Sequence, residues 1–392
     1  MSTDQPRSKR TLTPLRSRGE PWVCYVANMQ LDHFRKALEG LHRYAQTKPQ
    51  WRLRILDLQQ LLHDVSSLGN PAALVVGSVP ADLVEKLAAI HPVVVNISNH
   101  DAGRRLPSVL SDDHAVGAMA ATYYARRGYR HFAFVHGVRL RFSLEREAGF
   151  LAALPAGSGV ECFAMDDAAA AIARLRALDQ PVAIFADSDE IARLMIDALL
   201  HAGLRVPADM AVAGVNDDPI AQVLSPVDLS SVALGSHTMG FEAGRLVDYL
   251  LAGGTAPREP LLVPPRQFVA RRSAEAVAVK DTRVAAVLRL LHGAPGKWKS
   301  VEHLLSAADV PRRTLEVAFR RELGVSPHAE WTQVRLDYAK AMLVSGGDTL
   351  ETIAERCGFA DAHSLCIVFR RVSGMTPGTF RKRHGKSARS DA

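Results

Sequence analysis

The sequence predicts an α/β body built from two doubly wound lobes with parallel sheets, followed by an all-α domain that contains two helix-turn-helix motifs. Within residues 21–273, short apolar runs alternate with helical patterns of about 10 to 15 residues, which is typical of βαβ units. A segment of about 250 residues is large for one such sheet, so two similar lobes are expected. From residue 281 onward, apolar residues recur at helical spacing.

Strands of the body are predicted where buried runs lie between turn residues: 22–28, 51–58, 72–78, 92–98, 108–112, 131–137, 159–165, 181–186, 210–215, 228–234, 261–265 and 266–272. The intervening helices are predicted at 33–46, 81–90, 113–127, 141–154, 167–178, 189–202 and 239–251. Asp189 is expected to cap the helix that it begins.

The most informative stretch lies in the C-terminal domain, at 348–381. Asp348 is a candidate N-cap for a short helix with Leu350 and Ile353 on its apolar face, and Gly358 is expected to end that helix in the left-handed conformation. A second apolar face follows at Leu365, Val368, Phe369 and Val372. Periodicity alone leaves a DNA-binding helix-turn-helix and an ordinary helical hairpin equally open.

The first motif is predicted over 301–323, with Leu315 and Phe319 packed inward. A helix at 327–344, about 27 Å long, joins the two motifs. This length is comparable to the ~34 Å between successive major-groove faces, so the two recognition helices are expected to read adjacent turns of duplex DNA.

Charge is concentrated at the C-terminus, where residues 281–392 hold 18 Lys and Arg against 12 Asp and Glu. A basic module on a near-neutral body is expected of a protein in which one part meets nucleic acid. Residues 1–20 are basic and predict a disordered tail, as do residues 385–392. The first twenty residues lack the apolar segment of a secretory signal, and no apolar run suits a membrane span.

Several chemistries are disfavoured. The four cysteines are scattered, which argues against a disulfide or zinc framework and favours a reducing compartment. His131 and His136 lie on opposite faces of one strand and cannot chelate one metal. The sequence lacks nucleotide-binding and nucleophile-elbow motifs. We therefore expect no catalytic residues, no cofactor and no metal.

The C-terminal pattern I-A-x-x-C-G-F-x-D followed by F-R-R-x-x-G-x-T-P-x-x-F-R, at 353–361 and 369–381, resembles the signature of the AraC family of transcription regulators. The body resembles the periplasmic-binding-protein-like effector domain of LacI/GalR regulators, most clearly at 229–253 and 261–273. The resemblance implies an effector domain at 21–273, a linker at 274–284 and a DNA-binding domain at 285–384. It also implies a sugar held between two lobes.

Ligands of open α/β sheets bind beyond the carboxyl ends of the strands. This rule points to the residues at the strand ends: Asn28, Ser78, Asn96, Asp112, His136, Ser188, Asn216 and Leu234. Arg146 matches an arginine that the LacI-type family uses to hold sugar hydroxyls, although a surface arginine on an amphipathic helix remains the alternative. Asn216 and Leu234 replace polar family residues, which favours a less hydroxylated or differently configured sugar.

The predicted DNA-contacting residues lie on the two recognition helices: Arg312, Arg313, Thr314, Glu316, Arg320, Asp361, His363, Ser364, Cys366, Ile367, Arg370 and Arg371. The resemblance thus implies a cytoplasmic, homodimeric transcription regulator that binds double-stranded operator DNA and a sugar, with a pentose such as xylose as the first candidate. RNA polymerase would be a further partner of an activator. The alternatives are a transport-type sugar-binding protein and a regulator that responds to a non-sugar molecule.

Overall fold

A computed structural model of the protein describes residues 22–56, 61, 70–91, 93–100, 106–309, 311–345 and 347–384. The chain divides into two compact units: the first comprises Met1–Ser111 and Ser236–Val263, and the second comprises Asp112–Gly235 and Pro264–Ala392. The chain therefore passes between the units three times. The two predicted tails, 1–20 and 385–392, lie outside the described residues.

The first unit contains a parallel sheet in the order β2-β1-β3-β4. Its strands are β1 (Trp22–Ala27), β2 (Arg52–Leu56), β3 (Ala73–Gly77) and β4 (Val94–Asn96). A parallel pair, β5 (Val109–Ser111) and β11 (Leu261–Val263), completes its strands. The described helices of this unit are α1 (Asp32–Ala45), α2 (Ala81–Ile90) and α8 (Ser236–Leu251). β1 and β3 are buried on both faces, as expected of parallel strands covered by helices.

The α/β part of the second unit has six strands in the order β12-β10-β9-β8-β6-β7, and only β12 is antiparallel to its neighbour. The strands are β6 (His131–His136), β7 (Gly159–Ala164), β8 (Val182–Ala186), β9 (Met210–Val215), β10 (Ser230–Ala233) and β12 (Gln267–Val269). Its helices are α3 (Asp113–Ala125), α4 (Arg141–Ala152), α5 (Ala168–Arg176), α6 (Asp189–His201) and α7 (Pro219–Leu224). Phe134, Phe150 and Phe185 pack together in the core beneath α3 and α4.

The C-terminal part of this unit is helical, with α9 (Thr282–Gly293), α10 (Val301–Ala307), α11 (Arg312–Leu323), α12 (Pro327–Ser345), α13 (Leu350–Arg356), α14 (Ala362–Ser373) and α15 (Pro377–His384). The N-terminal half of α12 contributes Trp331 and Val334 to a core shared with α9, α10 and α11. Its C-terminal half contributes Leu336 and Met342 to a second core shared with α13 and α14. The connecting helix α12 therefore organises two separate helix-turn-helix cores, as predicted.

Several local predictions were wrong. Ser188, and not Asp189, caps α6, because its hydroxyl accepts the Ile191 amide hydrogen. Likewise Thr349, and not Asp348, caps α13; the Asp348 side chain instead accepts from Arg356.

The limits of other elements also differ from the sequence patterns. The strand predicted at 266–272 covers only Gln267–Val269, because the chain then enters a 3₁₀ turn at Arg272–Ala274. Helix α7 was not predicted, because its apolar residues do not form a buried helix face: Ile220, Val223 and Leu224 are all exposed. Val372, predicted on the inner face of α14, is 44% exposed.

Candidate ligand site and nucleic-acid interface

The residues predicted from strand ends in the second unit lie at the carboxyl edge of the six-stranded sheet. Leu234 follows β10, Asn216 follows β9, and Ser188 follows β8 by two residues. These three strands are neighbours, so their loops lie side by side at roughly the 4.8 Å strand spacing. Asp112, which caps the start of α3, and Arg146 on α4 belong to the same unit. Asn28 lies in the first unit, where its side chain accepts the Gln30 amide hydrogen.

Arg146 is buried, with 5% of its surface exposed, and its guanidinium is held in a fixed orientation. Its Nε and Nη2 both lie 2.8 Å from Asp113 Oδ1, and its Nη1 donates to the main-chain carbonyl of Asp187. A guanidinium has five N–H donors, and these contacts occupy three of them. The other two donors have no acceptor among the residues that the structure describes, and they suit adjacent hydroxyls of a polyol. The alternative of a surface arginine is excluded.

Asp187 is central to this edge of the sheet, although it was not among the predicted ligand residues. One carboxylate oxygen accepts from the Gly137 amide and the Ser143 hydroxyl, each at 2.7 Å. His136 Nδ1 lies 2.7 Å from the same hydroxyl, and its Nε2 lies 3.0 Å from Glu147. Burial lowers the pKa of His136, with Glu147 opposing the shift. The signal was present in the run Asp187-Ser188-Asp189, three polar residues directly after a fully buried strand.

The turn that presents Asn216 has an uncommon backbone. Asn216 has φ +116° and Asp217 has φ +52°, in the region that favours glycine. The turn is held by buried Asp189, which accepts the Asp218 amide hydrogen at 2.8 Å, and by the 2.7 Å ion pair of Asp217 with Arg271. Burial raises the pKa of Asp189 to about 7. Backbone strain that the surroundings enforce in this way is characteristic of binding sites.

The remaining predicted ligand residues have structural roles. The Asp112 carboxylate caps α3 by accepting the Ala115 amide hydrogen at 2.9 Å, and Ser188 donates to Asp187 at 3.2 Å in addition to capping α6. Leu234 is 6% exposed and packs in the aromatic core. Its side chain offers a ligand only an apolar wall.

In the helical part, α11 and α14 occupy equivalent places in two successive helix-turn-helix motifs. The pattern F-R-R-x-x-G-x-[S/T]-P occurs at 319–327 and again at 369–377, with both phenylalanines fully buried. Gly324 (φ +74°) and Gly374 (φ +73°) end the two helices in the left-handed conformation. This repeat is visible in the sequence, but the AraC-like signature covers only its second copy.

The exposed faces of α11 and α14 also correspond. Arg313, Thr314 and Arg320 are exposed on α11, as are His363, Arg370 and Arg371 on α14. Within the described part of the chain, no carboxylate lies within ion-pair distance of Arg313, Arg320, Arg370 or Arg371. Val317 and Ile367, 62% and 53% exposed, occupy matching central positions. Val317 was not predicted as a DNA-contacting residue, because an aliphatic residue at this helical spacing usually lies in the core.

Other predicted DNA-contacting residues are already engaged within the protein. Arg312 pairs with Glu302 at 2.6 Å and with Glu316 at 2.9 Å, which fixes the start of α11. Asp361 caps α14 by accepting the Ser364 amide hydrogen at 2.7 Å, and this hydrogen bond lowers the pKa of Asp361. Ser364 and Cys366 are partly buried.

Metal sites and membrane-spanning helices are both absent among the residues that the structure describes. No group of three or more His, Cys, Asp or Glu side chains there is arranged to hold a metal ion. None of the described helices combines the length and apolarity that crossing a membrane requires.

The geometry defines a protein that combines a periplasmic-binding-protein-like α/β body with a double helix-turn-helix domain. Residues 121–274 match the family described as periplasmic binding protein-like domain, and residues 304–383 match the family described as helix-turn-helix domain. The predicted resemblance to AraC-type regulators with a LacI-type body is confirmed.

Two relatives and one solved structure are similar to this chain. The xylose operon regulatory protein of Escherichia coli K12 is 30% identical over 207 residues, 53% of each chain. The protein of that name from Haemophilus influenzae is 26% identical over 289 residues, 70% of this chain and 74% of the relative. A solved structure described as xylose-binding transcription activator xylR has the same fold, with a TM-score of 0.57, 24% identity, and coverage of 93% of this chain and 98% of that one. The chain aligns with about half the length of the first of these relatives.

Proposed function

We propose that the protein is a sequence-specific DNA-binding transcription regulator of a sugar-catabolism operon, and that it responds to a sugar effector. The observation that carries this function is the presence, in one chain, of paired recognition helices with exposed arginines and of a buried, oriented Arg146 at a sheet edge. The relatives named xylose operon regulatory protein favour a pentose such as xylose as effector. Binding, and not catalysis, is the proposed activity.

DNA binding is assigned to residues 285–384. An exposed arginine presents a rigid fork of donors that suits guanine edges and phosphates. Val317 and Ile367, exposed at the centres of α11 and α14, suit apolar contact with thymine methyl groups. Dimerisation would place paired modules on repeated half-sites, and recruitment of RNA polymerase would make the protein an activator. Such a regulator acts in the cytoplasm.

Effector binding is assigned to residues 21–273, with 274–284 as linker. The two remaining donors of Arg146 would bind adjacent hydroxyls, while Asp187 and Asp113 keep the guanidinium in place. The strained Asn216 turn adds an amide side chain at the same sheet edge. A deletion of 281–392 should therefore abolish operator binding and leave effector binding intact. Loss of both activities would contradict separable domains.

The experiment that tests the function is direct. The full-length protein is titrated with fluorescent duplex DNA from upstream of its own and adjacent operons, with and without pentoses and hexoses. A parallel thermal-shift screen identifies the sugar, because a ligand that binds only the folded state raises the melting temperature. The proposal fails if the protein ignores these DNA fragments in every condition.

A second candidate is a regulator that responds to a molecule with fewer hydroxyls. Buried Leu234 favours it, because a ligand hydroxyl placed against this side chain would have no partner. Leu234→Gln discriminates between the two. The variant should gain affinity for xylose if a sugar site has been altered at one position, and it should lose affinity for the natural effector if that effector is apolar there.

A further inference from the structure

The helical domain is attached to the α/β body by an ionic contact at the end of α3. Arg126 forms two hydrogen bonds with Glu330, with Nε at 3.3 Å and Nη2 at 3.0 Å from the two carboxylate oxygens. A third contact, 2.6 Å from its Nη1, reaches Asp337. Glu330 and Asp337 both belong to the connecting helix α12, and Glu330 is 2% exposed. Burial opposes the charge on Arg126, but the two carboxylates raise its pKa above the ordinary value.

Neighbouring residues extend this contact. Arg127 is buried, lies 3.6 Å from the centre of the Tyr123 ring, and donates to His292 Nδ1 on α9 at 3.3 Å. Burial, together with Arg127 and Arg126, lowers the pKa of His292 well below its ordinary value, so this ring is neutral at pH 7. Arg130 donates to the Glu322 carbonyl at the end of α11 at 2.7 Å.

The segment between the two parts follows the same surface. The Ala278 amide donates to the Arg127 carbonyl at 2.8 Å, and the Tyr123 hydroxyl donates to the Ala274 carbonyl at 3.3 Å. Val277 and Val279 pack against the core of the first helix-turn-helix, whereas Ala278 packs against the core of the body. Residues 277–279 therefore contact both parts in turn: Val277 and Val279 contact the helical part, and Ala278 contacts the body. We call this segment the joint, because it is packed against one part and hydrogen-bonded to the other.

The other end of α3 lies at the candidate ligand site. Asp113, its first residue, carries the pair with Arg146. Helices α3 and α4 pack at backbone distance, because a Cβ at Gly117 would lie 1.9 Å from the Arg146 carbonyl oxygen and one at Gly149 would lie 1.9 Å from that of His114. A helix of 13 residues is about 20 Å long. One rigid helix thus connects Arg146 with the connecting helix of the DNA-binding part.

We propose that α3 couples effector binding to the DNA-binding domain, with Arg126 as the positioning residue that transfers its displacement to Glu330 and Asp337 on α12. The inference rests on the proposed function. A ligand that accepts hydrogen bonds from the two remaining donors of Arg146 changes the force that the guanidinium exerts on Asp113. Because α3 and α4 pack at backbone distance, α3 moves together with α4. Its C-terminal end then changes the position of α12, which organises both helix-turn-helix cores. Coupling of this kind requires an element whose position both sites bias.

The test compares Arg126→Ala with the wild-type protein in the full-length chain. Operator affinity is measured by fluorescence anisotropy with and without the sugar from the thermal-shift screen, and sugar affinity by calorimetry. Arg126→Ala should bind sugar within about twofold of wild type and still bind operator, while the ratio of the two operator affinities falls at least threefold toward one. Arg126→Lys, which keeps the charge, should retain part of the ratio.

Arg174→Ala is the matched control, because it removes an exposed 2.6 Å ion pair with Glu161 in the same α/β body. Its ratio should equal that of wild type. If Arg126→Ala fails to fold, Asp337→Asn weakens the 2.6 Å contact with Arg126 while the Arg126–Glu330 pair stays in place, and it should lower the ratio partially. Lys340→Met, which removes the 3.5 Å contact of Lys340 with Asp337 within α12, should leave the ratio unchanged. An unchanged ratio in the folded Arg126 or Asp337 variant overturns the coupling.

A hydrogen-exchange measurement separates this failure from failure of the proposed function. Loss of Arg126 should accelerate exchange of the Ala278 amide and of the N-terminal half of α12 in the protein without sugar, and Arg174→Ala should not. If the wild-type protein responds to no sugar, the proposed function fails while the exchange result still decides whether Arg126 holds the joint. Unchanged exchange overturns the joint itself.

Discussion

Arg335 in the connecting helix α12 donates a hydrogen bond to the main-chain carbonyl of Gly358, in the turn of the second helix-turn-helix. It donates another to the Cys357 carbonyl at 2.8 Å. Its guanidinium lies 4.0 Å from the ring centre of Trp331 and 3.7 Å from that of Phe359. Burial lowers the pKa of Arg335 to about 10. Arg335 thus donates to two main-chain carbonyls at the end of α13, where the helix itself provides no amide donor.

Arg335→Met should therefore destabilise the helical domain by about 2–4 kcal/mol, because two buried carbonyls lose their donors. Operator affinity should fall with the folded fraction, while sugar binding is retained. Urea denaturation monitored by circular dichroism gives the stability. The control is Lys340→Met on the same helix, which removes a 3.5 Å contact with the exposed Asp337 carboxylate. A stability equal to wild type would show that the turn does not depend on Arg335.

The residue in the left-handed conformation differs between the two helix-turn-helix turns, and substitutions at this position should change stability in opposite directions. Gly358 (φ +72°) and Asp309 (φ +50°) both follow the first helix of their motif in the left-handed conformation. Gly358→Ala should cost about 1–2 kcal/mol because the conformation is strained for alanine. Its Cβ would also lie 2.9 Å from the Gly296 carbonyl oxygen.

Asp309→Gly should stabilise the first motif by up to about 1 kcal/mol, since the same strain is removed. Thermal unfolding of the two single variants and the double variant checks both signs. Effects of the same sign in the two variants would contradict the proposed equivalence of the turns.

Arg320 and Arg370 occupy equivalent places on α11 and α14, so they should make equivalent contributions to DNA binding. Each change to alanine should weaken operator binding by about 1–3 kcal/mol if the arginine reads a base, or reduce the salt slope by about one if it contacts phosphate. Arg174→Ala in the body serves as the control. Unchanged operator affinity and salt dependence in both variants would remove these helices from the interface.

Arg146→Ala should lower effector affinity at least tenfold without changing the operator affinity of the ligand-free protein. The variant also leaves the buried Asp113 carboxylate without its guanidinium, so a loss of stability on the order of 3 kcal/mol is expected. Arg146→Lys keeps the charge and loses the fork, and it separates the two effects. Calorimetry with the identified sugar is the measurement, and full affinity in Arg146→Lys would show that the fork is not used.

The raised pKa of Asp189 makes stability depend on pH. In the unfolded chain its pKa is about 3.9, and in the folded protein it is about 7. A carboxyl whose pKa rises on folding favours the folded state below pH 4, and this contribution is lost as the pH rises to 7. The loss is on the order of 2–4 kcal/mol.

Asp189→Asn should abolish this loss, so that the variant gains stability relative to wild type between pH 5 and pH 8. Chemical denaturation across this range measures it. Asp197→Asn, an exposed carboxylate on the same helix, should leave the profile unchanged. Parallel profiles for Asp189→Asn and wild type would mean that Asp189 remains ionised when buried.

The sequence by itself determined the classes of element and their order. Apolar runs such as Val182–Ala186 have to be buried on both faces, and the spacing of Leu315 and Phe319 has to form one helix face, wherever the rest of the chain lies. The end of the helix at Gly358 and the expectation that strand-end residues assemble followed from backbone geometry and parallel pairing. These are local properties that a short stretch specifies.

Only the tertiary structure decided which polar side chains act together. Asp113 and Arg146 are 33 residues apart, and Arg126 and Glu330 are 204 residues apart, so no local pattern links them. The same holds for Asp187, whose role depends on Gly137 and Ser143. Hydrogen-bond networks depend on positions in space at a scale of about 3 Å, and only the packing of helices and sheets fixes those positions.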